Sequence, residues 1–179
     1  MLTPDYLSRL DLLPEAERFV RLPNRVAHSL DGQDVMVFNV PDDASDTDAC
    51  RARFGIPVED NANTIILRFR KDGAEHLAAV VALAGKRIDV NGAARRTLAA
   101  SRISFASRDE AVDASGMEYG GITAFGVPVD WPILVDTAVL ERQTIVMGAG
   151  IREAKLLLAP SVLLTLSNVS VVAVAKPNI

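Results

Sequence analysis

Ser107 to Pro128 read SRDEAVDASGMEYGGITAFGVP, and the stretch changes character halfway. Its first half is a helix signature. Ser107 with Glu110 at the third helical position forms a capping box, in which each side chain satisfies a backbone N–H left open at a helix start. The helix should stop at Gly116, a residue type that enters the left-handed region without steric cost. The second half carries Gly120, Gly121, Gly126 and Pro128 with no sustained period, so 117–130 reads as a loop with short extended parts.

Working outward, 102–106 reads as a strand just upstream. Downstream, strands are expected at 132–135, 143–147, 154–158 and 169–175, with Pro160 and Ser161 opening a short helix between the last two. Farther upstream, 63–70 and 75–84 form strands around a turn at Lys71-Asp72-Gly73, and Asn91 caps a short helix over 92–99. Pro41-Asp42-Asp43 is a loop. Ser45 then caps a helix with Asp46 and Asp48 in its first turn and Arg51 and Arg53 near its end. Gly55 terminates that helix and Pro57 prevents its resumption. Residues 3–29 read as short helical pieces: Leu7, Leu10 and Leu13 share a helical face, and Pro14 opens a second turn. Many strands among short helices give an α+β class, with a curved sheet as its centre and no helix long enough for a bundle. The expected organisation is an N-terminal helical cap over 1–29 and one domain over 30–179.

With 179 residues the chain has room for one domain with a real core. Nearly half its residues are apolar and 23% are charged, a globular balance. Aromatics are only 5%, so aliphatic side chains must fill the core. The aliphatic runs Leu156-Leu157-Leu158 and Val169 to Ala175 fall far short of the roughly 18–20 residues of a membrane span. No basic segment followed by an apolar stretch marks a secretory signal at the N-terminus. Cys50, the only cysteine, has no internal disulfide partner, which favours a reducing compartment. The net charge of −4 argues against broad, non-specific nucleic-acid binding, while leaving room for one local basic patch on a strand end.

The usual catalytic sets are missing. His28 and His76 lie far apart with no Cys or Glu at metal-ligand spacing, so no metal site is expected. His76 reads as a solvent-facing strand residue, and Cys50 as a packing residue. There is no Gly-x-Ser-x-Gly elbow, P-loop or strand-linked Gly-x-Gly-x-x-Gly. What remains is two glycine loops, Gly120-Gly121-Ile122-Thr123-Ala124 and Gly148-Ala149-Gly150-Ile151-Arg152. Glycines let a backbone approach a ligand closely, and exposed N–H groups can hold an oxyanion or a phosphate. On glycine content alone, both read first as tight turns between strands, because glycine turns are common.

The order of these pieces resembles the YbaK and prolyl-tRNA editing family. The resemblance is carried by Ser104-Phe105-Ala106, Glu110-Ala111-Val112, Ser115 to Thr123, Phe125-Gly126-Val127-Pro128, Ile133 to Asp136, and Gly148 to Arg152 with Lys155 and Pro160. It covers roughly residues 30 to 175 and is strongest from 101 to 164. It implies a single α+β domain with a mixed, mostly antiparallel sheet, similar to the editing domain inserted in some prolyl-tRNA synthetases. It also implies a trans-acting, cytoplasmic aminoacyl-tRNA deacylase that serves translation fidelity, with alanine or cysteine on tRNA for proline as the usual substrates. The partner is then the 3′ end of an aminoacyl-tRNA, with no metal, no cofactor and no membrane, and a homodimer is left open. The family's chemistry is spare: glycine-loop amides orient the carbonyl, and water attacks with help from the substrate's own ribose hydroxyl.

The resemblance carries over residue by residue. Gly120 matches the first glycine of a Gly-x-x-x-Pro loop, with Gly121, Ile122 and Thr123 inside it; without the proline the loop is either looser or braced by Phe125 and Pro128. Asp136 matches an acidic position after a strand and is expected to orient a loop. Gly148, Gly150 and Arg152 match the second glycine loop, with Arg152 set for a phosphate or carboxylate or for an internal salt bridge. The catalytic set is therefore Gly120, Gly121, Ile122 and Asn63, and the substrate-binding set is Thr123, Phe125, Asp136, Gly148, Gly150, Arg152 and Arg102. Two positions depart from the family. Ala124 stands where it carries proline, and Asn63 where many members carry a lysine. Asparagine can hydrogen-bond to the substrate but brings no positive charge. Lys86, Arg102 and Lys155 are the cations that could replace it in space. These departures motivate a second reading, a module of the same fold that binds an aminoacyl end or a small amino-acid derivative with little turnover.

Overall fold

The strands divide between two main sheets, and alternation along each strand shows why. A computed structural model describes residues 4–44 and 47–177. One antiparallel sheet has the order β1 (Asp11–Leu12), β2 (Val35–Asn39), β9 (Ala154–Leu158), β8 (Ile145–Gly148). The other is mixed and has the order β10 (Val169–Val172), β7 (Ile133–Asp136), β4 (Ala74–Leu83), β3 (Ala62–Lys71), β6 (Arg102–Phe105). In it β7 runs parallel to β4 and to β10, and the other pairs are antiparallel. A small third sheet pairs β5 (Lys86–Ile88) with β11 (Ala175–Pro177).

Successive side chains of a strand face opposite ways, and here each way is a core. Val35, Val37, Ile145, Met147, Leu156 and Leu158 point inward with Ala79, Val81, Ile133 and Val135 of the other sheet, forming the core between the sheets. Phe38, Val146 and Leu157 point outward, under Tyr6, Leu10, Phe54 and Cys50. Ala78, Val80 and Leu134 point outward on the mixed sheet, under Val90, Ala94 and Leu98. So Leu156-Leu157-Leu158 is a continuous apolar run because its strand is covered on both faces. The same double burial hid β2: Val35-Met36-Val37-Phe38 lacks the apolar–polar alternation that marks a half-exposed strand.

Local chemistry decided the elements that matched expectation. Helix α5 (Arg108–Ser115) starts at the complete Ser107–Glu110 capping box and ends at Gly116, at φ 70°. The β3–β4 hairpin turns on Asp72 and Gly73, at φ 50° and 82°, the left-handed pair that the twist of a two-residue hairpin requires. Helix α3 (Thr47–Phe54) ends at Gly55; its expected cap, Ser45, and Asp46 lie outside the described residues. Pro160–Thr165 is a 3-10 helix.

Other expectations need correction. The α+β class with mostly antiparallel pairing is as expected, but the strands divide between two main sheets and a small third one, with an isolated bridge between Asn61 and Val146. The cap of the helical segment after β5 is Asp89, not Asn91. Asp89 accepts the N–H of Ala93 at 3.0 Å and begins a wide turn, Val90–Ala94, that runs into α4 (Arg95–Thr97). The expected strand 169–175 breaks at Ala173-Val174, because Asp136 accepts the N–H groups of Val174 (2.8 Å) and Ala175 (2.7 Å) and turns the chain toward β5. The N-terminal segment is not helical throughout. A 3-10 turn at Leu7–Arg9 becomes extended at Leu10, β1 pairs with β2, and α1 (Arg18–Arg21) and α2 (Asn24–Leu30) follow. That change of backbone sends Leu10 to the outer core and Leu13 to the inner one. Val26, Ala27 and Leu30 of α2 also pack into the inner core.

Candidate functional site

The cavity follows from where the two sheets fail to join. Just before β3, an isolated parallel bridge joins Asn61 to Val146 of β8. Farther along, β6 pairs with β3 from Leu67 to Arg70, and the Ala106 N–H closes on the Ile66 carbonyl at 3.0 Å. Between these points one edge of β3 has no strand beside it. The Ile66 carbonyl faces β6, and the Asn61 carbonyl faces Ala84 at 2.7 Å, on the other side. Backbone groups alternate sides along a strand, so the N–H and C=O of Thr64 face the opening. The opening is a cavity of about 560 Å³.

Its lining draws on six segments: the start of β3, the turn from β6 into α5, the first glycine loop, the end of β8, the second glycine loop and the start of β9. Ala62, Ile66, Ala106, Ala111, Ile122 and Met147 give an apolar floor. Arg108, Arg152 and Lys155 line it as well. Lys155 is only 7% exposed, from a strand otherwise wholly apolar. The Thr64 hydroxyl is buried in the wall with no hydrogen-bond partner among the described residues, and such a group costs stability unless something satisfies it.

The two glycine loops are stitched together by their backbones. Gly121 N–H donates to Glu118 O (2.9 Å), Gly150 N–H to Gly121 O (2.7 Å), and Glu118 N–H to Gly150 O (2.9 Å). Arg152 N–H donates to the Glu118 carboxylate at 2.8 Å. The loops lie so close that a Cβ on Gly121 would sit 2.4 Å from the Ile151 carbonyl carbon, and one on Gly148 2.3 Å from the Gly121 oxygen. At these two positions the space a ligand was expected to need is filled by the other loop. Gly120 differs: its φ is 87°, its nearest neighbour would be Arg152 Cγ at 3.9 Å, and it lines the cavity. Gly121 N–H is committed to Glu118, whereas the N–H groups of Gly120 and Ile122 have no acceptor among the described residues.

A profile described as "Aminoacyl-tRNA editing domain" matches residues 41–166, more than half of the chain. The chain belongs to the aminoacyl-tRNA editing domain family. Every residue lining the cavity falls within the matched span. Among solved structures, the fold is similar to a protein described as a candidate trans-editing enzyme for prolyl tRNA synthetase, at TM-score 0.74 and 19% identity, over 93% of this chain and 99% of that one. It is also similar to the hypothetical protein APE2540, at TM-score 0.76 and 21% identity, over 85% of this chain and 99% of that one. At such identities the likeness concerns the fold, which is the editing-domain fold, with two sheets and short flanking helices.

Within this editing domain, Asn63, Gly120, Ile122, Gly148 and Arg152 meet at the cavity. Gly121 and Gly150 stand behind it; a Cβ on Gly150 would meet Val26 and Pro23. Thr123 and Phe125 are fully buried, Phe125 in the inner core. Asp136 is buried elsewhere and accepts N–H bonds from Ala138, Val174 and Ala175. Arg102 lines a different hollow, with Asn91 and Arg95. Lys86 is exposed on β5. Of the three cations that could stand in for the family's lysine, only Lys155 lines the cavity. Its sequence signal was a charge inside an apolar strand, a combination rarely kept without a role. Thr64 had no comparable signal.

Proposed function

We propose that this chain is a trans-acting aminoacyl-tRNA deacylase that cleaves the ester of a mischarged tRNA 3′ end in the cytoplasm, with tRNA for proline as the favoured substrate. The observation that carries the reading is one cavity containing the unpaired amides of Gly120 and Ile122, Asn63 and the buried Lys155, at an open strand edge. A water oxygen adds to the ester carbonyl carbon. The carbonyl oxygen takes up negative charge, and the N–H groups of Gly120 and Ile122 donate to it, an interaction that strengthens as charge develops. Lys155 supplies from β9 the positive charge that Asn63 lacks, and Asn63 hydrogen-bonds the ribose. The neighbouring ribose hydroxyl, as the family resemblance implies, relays the water's proton to the departing ribose oxygen. The carbon–oxygen bond breaks, leaving an amino acid and a tRNA with its terminal hydroxyls restored. No side-chain base is required, because fixed donors and alignment supply several kcal/mol.

The apolar floor suits an uncharged acyl side chain, and each methyl group separates substrates by only about 1–3 kcal/mol. The test is to incubate the purified chain with a panel of labelled mischarged tRNAs, alanyl- and cysteinyl-tRNA for proline among them, and follow deacylation. Absence of hydrolysis at enzyme excess across the panel refutes the reading. Rapid turnover removes the alternative of a binding module, which Asn63 in the lysine position favours.

A further inference from the structure

Two large aromatic side chains stand exposed at the mouth of the cavity. Phe105, the last residue of β6, is 55% exposed, and Tyr119, at the start of the glycine loop, is 51% exposed. Most of this chain's few aromatics are buried or half-buried, so two at one opening are unusual. Arg108, on the first turn of α5, lays its guanidinium over one face of the Tyr119 ring at 4.6 Å from the centroid, which ties the cation to the ring. Exposed aromatic faces beside cations are the chemistry of single-stranded nucleic-acid binding: bases stack on the rings and the cation meets the backbone phosphate.

We infer that Phe105 and the Tyr119–Arg108 pair form a nucleoside subsite that stacks the terminal purine of the tRNA 3′ end, with Arg108 meeting the phosphate on its 5′ side. This rests on the deacylase reading for the identity of the ligand. It goes beyond that reading by assigning binding of the base to side chains that take no part in the ester chemistry. The cavity then holds the acyl group and ribose, and its aromatic rim holds the base.

The test measures binding of AMP, which carries base, ribose and 5′-phosphate but no ester, against ribose 5-phosphate, which lacks the base. The wild-type chain should bind AMP more tightly. Phe105→Ala should weaken AMP about tenfold, the scale of one base–aromatic stack, and leave ribose 5-phosphate unaffected. Tyr119→Ala should weaken AMP similarly, and Phe105→Trp should retain binding. Both rings are exposed, so truncation spares the core. Equal binding of the two ligands, or AMP binding unmoved in both alanine variants, overturns the subsite. With aminoacyl-tRNA as substrate, Phe105→Ala should raise KM about tenfold, with the loss falling on KM rather than kcat. Should the chain hydrolyse no ester while AMP binding is still lost in Phe105→Ala, the deacylase reading falls and the nucleoside subsite stands. Hydrolysis with KM unmoved in both alanine variants removes the subsite and leaves the deacylase reading intact.

Discussion

Replacing Gly121 by alanine adds one methyl group, and the structure specifies what it meets. The new Cβ would lie 2.4 Å from the carbonyl carbon of Ile151, 2.5 Å from its oxygen and 2.8 Å from its nitrogen. Comfortable carbon contacts begin near 3.5 Å, so the two loops must separate by about 1 Å. These neighbours are backbone atoms, which cannot swing aside as a side chain would. Separation breaks or stretches the bonds Gly150 N–H to Gly121 O and Glu118 N–H to Gly150 O, each worth about 1 kcal/mol net. Overpacking itself costs about 1–3 kcal/mol. The expected loss is about 3–5 kcal/mol of folding stability. Gly120→Ala is the control. It meets nothing closer than Arg152 Cγ at 3.9 Å, and its strain comes only from φ 87°, worth about 1–2 kcal/mol. Urea unfolding of both variants, with midpoints compared at a common slope, makes the comparison. Gly121→Ala as stable as Gly120→Ala would refute the claim that Gly121 exists for loop-to-loop contact. Deacylation should fall in both, because either change moves the Gly120 and Ile122 amides.

Lys155→Met, which keeps length and removes charge, should lower deacylation about a hundredfold, the effect of losing one group that stabilises developing charge; adding Asn63→Lys should recover part of the rate, read in single-turnover assays. Thr64→Val removes a buried hydroxyl without a partner, so it should leave stability unchanged or raise it by about 1 kcal/mol while raising KM, as urea melts and steady-state kinetics will show. Asp136→Ala strands the N–H groups of Ala138, Val174 and Ala175 and should cost about 3–5 kcal/mol by thermal or urea unfolding. The Asp89 carboxyl is held below its ordinary 3.8, first by the Lys176 ammonium and then by the Ala93 N–H. A lowered carboxylate pKa contributes stability that is present above 3.8 and lost as pH falls through the folded-state value. Asp89→Asn should remove the acid-side decline that belongs to this group, compared by melting at pH values on either side of 3.8.

Legibility in the sequence tracked the range over which each signal acts. The capping box at Ser107 and the Asp72-Gly73 turn are decided within a few residues, so both could be read directly. Strand β2 could not, because the partner that covers its outer face is Tyr6 and Phe54, remote in sequence. Asp89 and Asn91 are both capable caps, and only the observed turn at Val90–Ala94 selects between them. Within the site, Gly120 and Ile122 reach the cavity while Thr123 and Phe125, next along the same loop, turn into the core. Sequence adjacency says nothing about that reversal. Arg102 and Phe105 share β6, yet three residues of strand separate them by about 10 Å, enough to put one at the cavity mouth and the other in a different hollow.

On the deacylase reading, the position of the cavity also accounts for Asn63. An open edge of β3 offers backbone groups whose directions are set by the rest of the strand, so orienting a substrate there costs no side-chain entropy. What such an edge lacks is charge. Charge can be delivered by any strand that ends beside the opening, and β3 and β9 both do, β9 with Lys155. On that reading, the lysine of β9 takes the place of one on β3 at the cavity wall. Lys155 and the Phe38 opposite it belong to the sheet that contains β1 and β2. On this account the N-terminal strands take part in fixing the catalytic charge, and loosening β1 from β2 should lower turnover before it unfolds the mixed sheet.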